Sequence, residues 1–187
     1  MDQANIQLSP GEVQEAIRTA LNDYSRESPY HTVGTVTLAS SGREIDVSSL
    51  TGLVLVDSVW LPYTASNPEH PANERAFEYW SDQSVIYIVD DCEPQANDVA
   101  RVFYDKVHTI KDLDGATATT VPVVDESLLL SGGFAYASRW QARKLPQGGN
   151  SLMKQALSDL AEFKRGLALV ARREADQRSR SQVQVLK

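Results

Sequence analysis

Residues 128–137 have the sequence LLLSGGFAYA, in which two adjacent glycines follow a run of leucines. They lie in a helical pattern that runs from the acidic pair at residues 125–126 to the basic pair at residues 143–144, as suits the two ends of a helix. Each glycine inside a helix costs about 1 kcal/mol relative to alanine. Gly132 and Gly133 therefore indicate that another helix or backbone approaches closely, the alternative being a break in the helix at Gly132.

Two further helices flank this one in sequence. Ser9-Pro10-Gly11-Glu12 is a capping box with proline at the first helical position, and the helix that it starts should end before Ser28-Pro29. The last helix carries apolar residues at a 4-3-4-3 spacing, typical of a helix packed along a bundle: Ala156, Leu160, Phe163, Leu167 and Val170. We expect the packing between helices or between subunits to use Gly132, Gly133, Ala137, Leu160, Phe163 and Leu167.

The middle of the chain has an extended pattern. Residues 35–38 and 44–47 predict a hairpin across a Ser-Ser-Gly-Arg turn, and further strands are predicted at residues 53–60, 85–89 and 99–110. The segment 62–74 is rich in proline and asparagine and predicts a long loop between strands. Because long loops often carry contacts, we expect a platform there formed by Trp60, Pro62, Tyr63, Glu69 and His70.

These patterns together predict an α+β fold. The first helix (residues 1–30) and two C-terminal helices (residues 122–178) form a helical bundle into which an antiparallel β domain (residues 31–121) is inserted. Residues 179–187 predict an extended tail that ends in the alternating apolar sequence Val183-Gln184-Val185-Leu186. Such a tail can add as a strand to the sheet edge of a partner.

Charge is distributed unevenly along the 187 residues. Residues 1–138 hold 7 Lys and Arg against 21 Asp and Glu, whereas residues 139–187 hold 11 against 4, so net charges of −14 and +7 make up the total of −7. A duplex-binding domain needs a basic surface, so the acidic body is a poor candidate for binding nucleic acid. The basic C-terminal part is either a solvated helix or a segment that docks on an acidic partner.

None of the standard phosphate-binding, metalloprotease, hydrolase or paired-cysteine motifs occurs in the sequence. The lone Cys92 has acidic neighbours and no basic residue near it in sequence, so the sequence predicts no nucleophile there. The three histidines (His31, His70 and His108) lack metal-ligand spacing. We expect no enzyme activity, no cofactor and no metal. No apolar stretch reaches the roughly 20 residues of a membrane span, and no signal peptide is evident, so we also expect no membrane partner.

The order of these parts resembles the neck adaptor (head-tail connector, or head completion) proteins of tailed bacteriophages. The resemblance covers roughly residues 9–170 and rests on the apolar strand at 102–110, the Thr120-Val121-Pro122 helix start, the Leu-rich and Gly/Ala-rich helix at 128–137, and the strand with a proline exit at 57–63.

This resemblance implies a structural virion protein, made in the host cytoplasm and located in the neck. Such adaptors form a ring, typically of twelve copies, that docks on the portal protein, continues the DNA channel and offers a platform for the next neck or tail protein. DNA would pass without sequence-specific binding. The residues expected to dock on the portal are those of the tail: Arg178, Arg180, Val183, Val185 and Leu186.

Two other functions stay open at the level of sequence. A β-sandwich module could recognise carbohydrate or peptide through the loop at residues 62–74 and the tryptophans (Trp60, Trp80 and Trp140), although core positions suit these rings as well. A metal-dependent hydrolase could use oxygen ligands from the acidic turns, although turn aspartates are common without a metal: Asp90, Asp91, Asp112 and Asp114.

Overall fold

The computed structural model describes residues 8–64, 73–145 and 149–185, with side chains described as far as residue 176. It contains three α-helices, a short 3-10 helix η1 (Val123–Asp125) and two antiparallel sheets of three strands each, which confirms the α+β prediction. The helices are α1 (Pro10–Glu27), α2 (Glu126–Lys144) and α3 (Gly149–Val185). The strands are β1 (Tyr30–Thr37), β2 (Glu44–Asp46), β3 (Leu53–Trp60), β4 (Phe77–Trp80), β5 (Val85–Ile88) and β6 (Val99–Lys106).

The chain divides into two compact units. The helical unit comprises Met1–Pro29 and His108–Lys187, and the β unit comprises Tyr30–Val107. Residues 108–121, which the sequence analysis placed in the β insertion, therefore belong to the helical unit. There the His108 amide donates to Ser25 Oγ at 3.0 Å, and the Thr109 amide donates to Thr120 Oγ1 at 2.8 Å, so this stretch bonds to its own unit after β6 has ended.

The capping box at the start of α1 is confirmed. The Glu12 amide donates to Ser9 Oγ at 3.3 Å, and the Ser9 amide donates to Glu12 Oε2 at 2.9 Å. These two bonds satisfy backbone donors that the first helical turn leaves unpaired. The helix ends at Glu27, before the proline, as predicted.

The core of the helical unit lies where the three helices meet. The residues of the 4-3-4-3 stripe on α3 are all buried, which confirms that this face packs inward. Helix α2 continues without a break through its two glycines, so the alternative of a helix end at Gly132 is wrong. The buried cluster contains Ala20, Leu21, Tyr24, Val121, Leu129, Phe163, Leu167 and Val170.

The β unit contains sheets of order β1-β6-β3 and β2-β5-β4, which share one apolar core. The predicted hairpin of residues 35–38 and 44–47 is wrong in its pairing, because β1 pairs with β6 along eight residues while β2 pairs with β5. The turn between β1 and β2 thus connects two sheets. In the pairing of β1 with β6, Tyr30 lies opposite Lys106 and Thr37 lies opposite Val99. The sequence analysis missed β4 and extended β6 beyond its end at Lys106.

The C-terminal segment differs from the extended tail that the sequence predicted. Helix α3 continues through Val185, because residues 171–182 contain mostly good helix formers (Ala, Arg, Glu, Gln) and no proline or glycine. Residues 183–185 are helical here, so they do not form the extended strand that was predicted to add to the sheet edge of a partner. Among the described residues, no helix is both long and apolar enough to cross a membrane.

Candidate functional site

Hydrogen bonds hold the two ends of the predicted platform loop together. Leu61 is fully buried, and its amide donates to the Asn73 carbonyl at 2.8 Å, while the Arg75 amide donates to the Val59 carbonyl at 2.8 Å. Asn73 Nδ2 also donates to the Pro62 carbonyl at 2.9 Å. Both ends of the loop are therefore anchored on the end of β3.

An arginine is surrounded by aromatic rings at this base. The guanidinium of Arg101 lies 4.9 Å from the ring centre of Tyr63, 5.3 Å from that of Phe103 and 5.7 Å from that of Trp60. Arg101 Nη1 also donates to the Tyr63 hydroxyl at 3.0 Å. Cation–π attraction of this kind contributes about 0.5–1 kcal/mol per contact at exposed sites. Trp60 and Tyr63 thus contact Arg101 within the chain, Pro62 is exposed, and Glu69 and His70 lie outside the described residues.

The glycines of α2 occupy two different environments. A Cβ on Gly132 would lie 2.5 Å from Cε2 of Phe163, whereas the nearest atom to a Cβ on Gly133 would be Ile17 Cγ1 at 3.5 Å. Of these two glycines, only Gly132 lies where α3 approaches closely. A similar contact recurs on α3, where a Cβ on Gly166 would collide with Leu128.

The remaining residues predicted for packing between helices or subunits lie on α2 and α3 of the helical unit. Leu160, Phe163 and Leu167 are buried in the helical unit, and Ala137 is half-buried on α2. Of the predicted docking residues, Arg178, Arg180, Val183 and Val185 fall in the last turns of α3. Their side chains, and Leu186 altogether, lie outside the described part.

A polar network that sequence patterns did not indicate joins α1 and α3 to the residue that precedes α2. The Tyr24 hydroxyl donates to Asp125 Oδ2 at 2.7 Å, and Arg173 Nη1 donates to Asp125 Oδ1 at 3.0 Å. Burial alone would raise the pKa of Asp125, but these two donors outweigh it and hold the pKa below its ordinary value. Burial, followed by the bond to Asp125, raises the pKa of Tyr24 to about 12. Separations of 101 and 48 residues hide both contacts from sequence patterns.

A second feature missed from the sequence is an exposed apolar segment, defined by Val123, Val124, Leu130 and Phe134. Their side chains are 82%, 70%, 72% and 68% exposed. Leu130 and Phe134 are four residues apart, so they share one face of α2, and the same run of sequence buries Leu129 on the opposite side. In the sequence, the apolar residues of α2 cover more of the helix circumference than one buried face requires, and that excess indicates the exposed segment.

The aspartates of the hydrolase hypothesis are not gathered by the fold. Asp90 and Asp91 belong to the β unit, whereas Asp112 and Asp114 belong to the helical unit. Asp90 Oδ1 accepts from the Cys92 amide at 2.9 Å, and Asp114 Oδ2 accepts from Arg18 Nε at 2.8 Å. Within the described ranges, none of the four belongs to a group of convergent metal-ligating atoms.

Comparison with known proteins gives a limited result. No family model and no curated protein matches the chain. It is similar to a chain in the neck of an empty gene transfer agent particle computed with C6 symmetry, at 12% identity and a TM-score of 0.32, over 80% of this chain and 79% of that one. A chain from the virion of a native gene transfer agent particle gives 12% identity and a TM-score of 0.30, over 83% and 81%.

Proposed function

We propose that this chain is a structural subunit of a phage-like virion neck, a ring-forming adaptor that docks on a portal protein, continues the DNA channel and joins head to tail. Its role is non-catalytic and its location is the virion. The exposed apolar segment of the helical unit is the observation that carries the proposal. Four large apolar side chains with most of their surface in water favour burial against another protein.

Ring formation requires that one surface of a copy fits a different surface of the next copy. The charge distribution supplies such a pair, since residues 30–107 hold 4 basic against 12 acidic residues while residues 139–187 carry a net +7. Opposite charges orient two copies during approach and disfavour contacts between like surfaces. An acidic surface also suits a channel wall, because it does not retain the phosphates of passing DNA.

The first experiment tests the exposed apolar segment. The wild type and the double variant Leu130→Ser/Phe134→Ser are each co-expressed with a portal protein from the same source, and the purified complexes are imaged by negative stain. We expect the wild type to give portal particles carrying an added ring and the double variant to give bare portals, with an unchanged circular dichroism spectrum.

Val54→Ser is the matched control, since Val54 is 59% exposed but lies in the β unit. The control should assemble like the wild type. Rings formed equally well by the double variant would contradict the assigned role of the segment, and absence of any wild-type ring on the portal would contradict the adaptor function itself.

The last turns of α3 are proposed to dock on the portal. Arg178 and Arg180 supply positive charge there, and a ring engages many copies at once, so a weak contact per copy gives a strong total attachment. Deletion of residues 181–187 should leave the fold intact and abolish assembly on the portal. The control is Lys187→Gln, which removes one charge and keeps the length of the helix.

The alternative function is a β-sandwich module that binds carbohydrate or peptide. The observation in its favour is the pair of sheets around one core, with Trp80 and Tyr87 stacked at 5.2 Å between ring centres and partly exposed. A glycan array and a peptide display screen with the purified chain test it. Saturable binding that Trp80→Ala removes would favour the module over the adaptor.

A further inference from the structure

The sheet β1-β6-β3 brings one metal-ligating side chain from each strand to a single place. His31 lies on β1, Asp105 on the central β6 and Asp57 on β3. One ligand atom from each lies within 4.8 Å of the other two, and this is the one convergent group of its kind among the described residues. Asp57 follows His31 by 26 residues and Asp105 follows Asp57 by 48, so no short sequence motif indicates this group.

The strand pairing explains how the three side chains meet. His31 lies directly opposite Asp105 in the β1–β6 register, so the two share one face of the sheet. On the other side, Val56 pairs with Tyr104 and Ser58 with Phe103, so that Asp57 is the extra residue of a bulge. A bulge turns a side chain away from the direction that regular pairing would give it.

The distances suit a small divalent ion. His31 Nδ1 lies 3.7 Å from Asp57 Oδ2, and the same nitrogen contacts Asp105 Oδ1. Metal–ligand bonds of about 2.0–2.2 Å place neighbouring ligand atoms roughly 3–4 Å apart. The Asp57 separation is already in that range, and the Asp105 carboxylate would move outward slightly to admit the ion.

The donor chemistry points to a transition metal. Imidazole nitrogen with carboxylate oxygen suits Zn²⁺ and related ions, whereas Ca²⁺ and Mg²⁺ prefer oxygen alone. Asp105 is only 3% exposed, so its negative charge needs a nearby positive charge. A cation bound between the two carboxylates and the imidazole can supply that charge.

We propose that His31, Asp57 and Asp105 form a divalent transition-metal site, with Zn²⁺ as the representative ion. The three residues bind the ion from three adjacent strands and leave further coordination positions for water or a partner. Binding cross-links β1 and β3 to the central β6, so the ion stabilises the β unit by mass action. This site is independent of the proposed role in a virion neck.

Isothermal titration of the full chain with ZnCl₂ at pH 7.5 tests the proposal, with a thermal melt of each sample beside it. We expect one ion per chain and a higher melting temperature with Zn²⁺. His31→Gln and Asp57→Asn, both at exposed positions, should weaken binding about tenfold or more while keeping the wild-type circular dichroism spectrum. Affinity should also fall in acidic buffer, because protons compete with the ion for the ligand atoms.

Asp82→Asn is the control, because it removes an exposed carboxylate of the β unit that is not part of the group. It should bind Zn²⁺ as the wild type does. The proposal is overturned if the wild type shows no saturable binding of one ion, or if His31→Gln binds as tightly as the wild type.

Discussion

The adjacent glycines of α2 allow a sharp test of the helix packing. In Gly132→Ala the new methyl group would lie 2.5–2.8 Å from three atoms of the Phe163 ring, which is 1% exposed. Overpacking of this kind costs about 1–3 kcal/mol, offset by a gain of about 1 kcal/mol in helix propensity. In Gly133→Ala the methyl group meets only Ile17 at an ordinary 3.5 Å, so the propensity gain remains.

We therefore expect Gly133→Ala to be as stable as the wild type or more so, and Gly132→Ala to be about 2 kcal/mol less stable than Gly133→Ala. For a chain of this length the difference corresponds to about 4–8 °C in melting temperature. Urea unfolding followed by circular dichroism at the helix band measures it. Equal stabilities of the two variants would refute the close approach of α2 and α3 at Gly132.

A double-mutant cycle assigns the effect to its cause. Phe163→Leu removes the ring that the new methyl group meets, so Gly132→Ala should cost less in that background than in the wild type. Additive losses would show that the cost of Gly132→Ala arises elsewhere in the helix.

Three further predictions concern polar contacts. Arg173→Met should lower the free energy of unfolding at pH 7 by about 3 kcal/mol, because it leaves the buried Asp125 carboxylate without its cation. The pKa of Asp125 is depressed in the folded state, so this loss should persist above about pH 4 and shrink as the pH falls through that folded pKa. Urea titrations at a series of pH values measure it. Ser9→Ala should cost about 1 kcal/mol by removing the cap of α1, and an unchanged urea midpoint would contradict that. Arg101→Met should lower the melting temperature by removing three ring contacts and the bond to Tyr63, and an unaltered melt would mean that the aromatic cluster holds without it.

Features that depend on local sequence were predictable. The capping box of α1, the apolar stripe of α3 and the strand at residues 53–60 follow from short-range spacing, and all three are confirmed. The glycine pair indicated a close helix approach, but only the structure shows that Gly132 and not Gly133 meets the Phe163 ring.

Features that depend on partners distant in sequence were not predictable. The strand predicted at residues 35–38 overlaps only the end of β1, and the strand nearest to it in sequence is not its partner in the sheet, because β1 and β6 pair along eight residues. The bonds of Asp125 and the meeting of His31 with Asp105 arise from the same kind of long-range pairing. Position along the chain carries no information about these contacts until the topology is known.

The register of β1 with β6 has a consequence for protein engineering. Tyr30 and Lys106, at the two ends of the β unit, face each other across one antiparallel pair, so the unit begins and ends within about 5 Å. A domain whose two termini lie close together can be removed, or inserted into another protein, without displacing the flanking chain. A short glycine linker in place of residues 30–107 would leave the helices contiguous, and other inserted modules could be exchanged at the same junction.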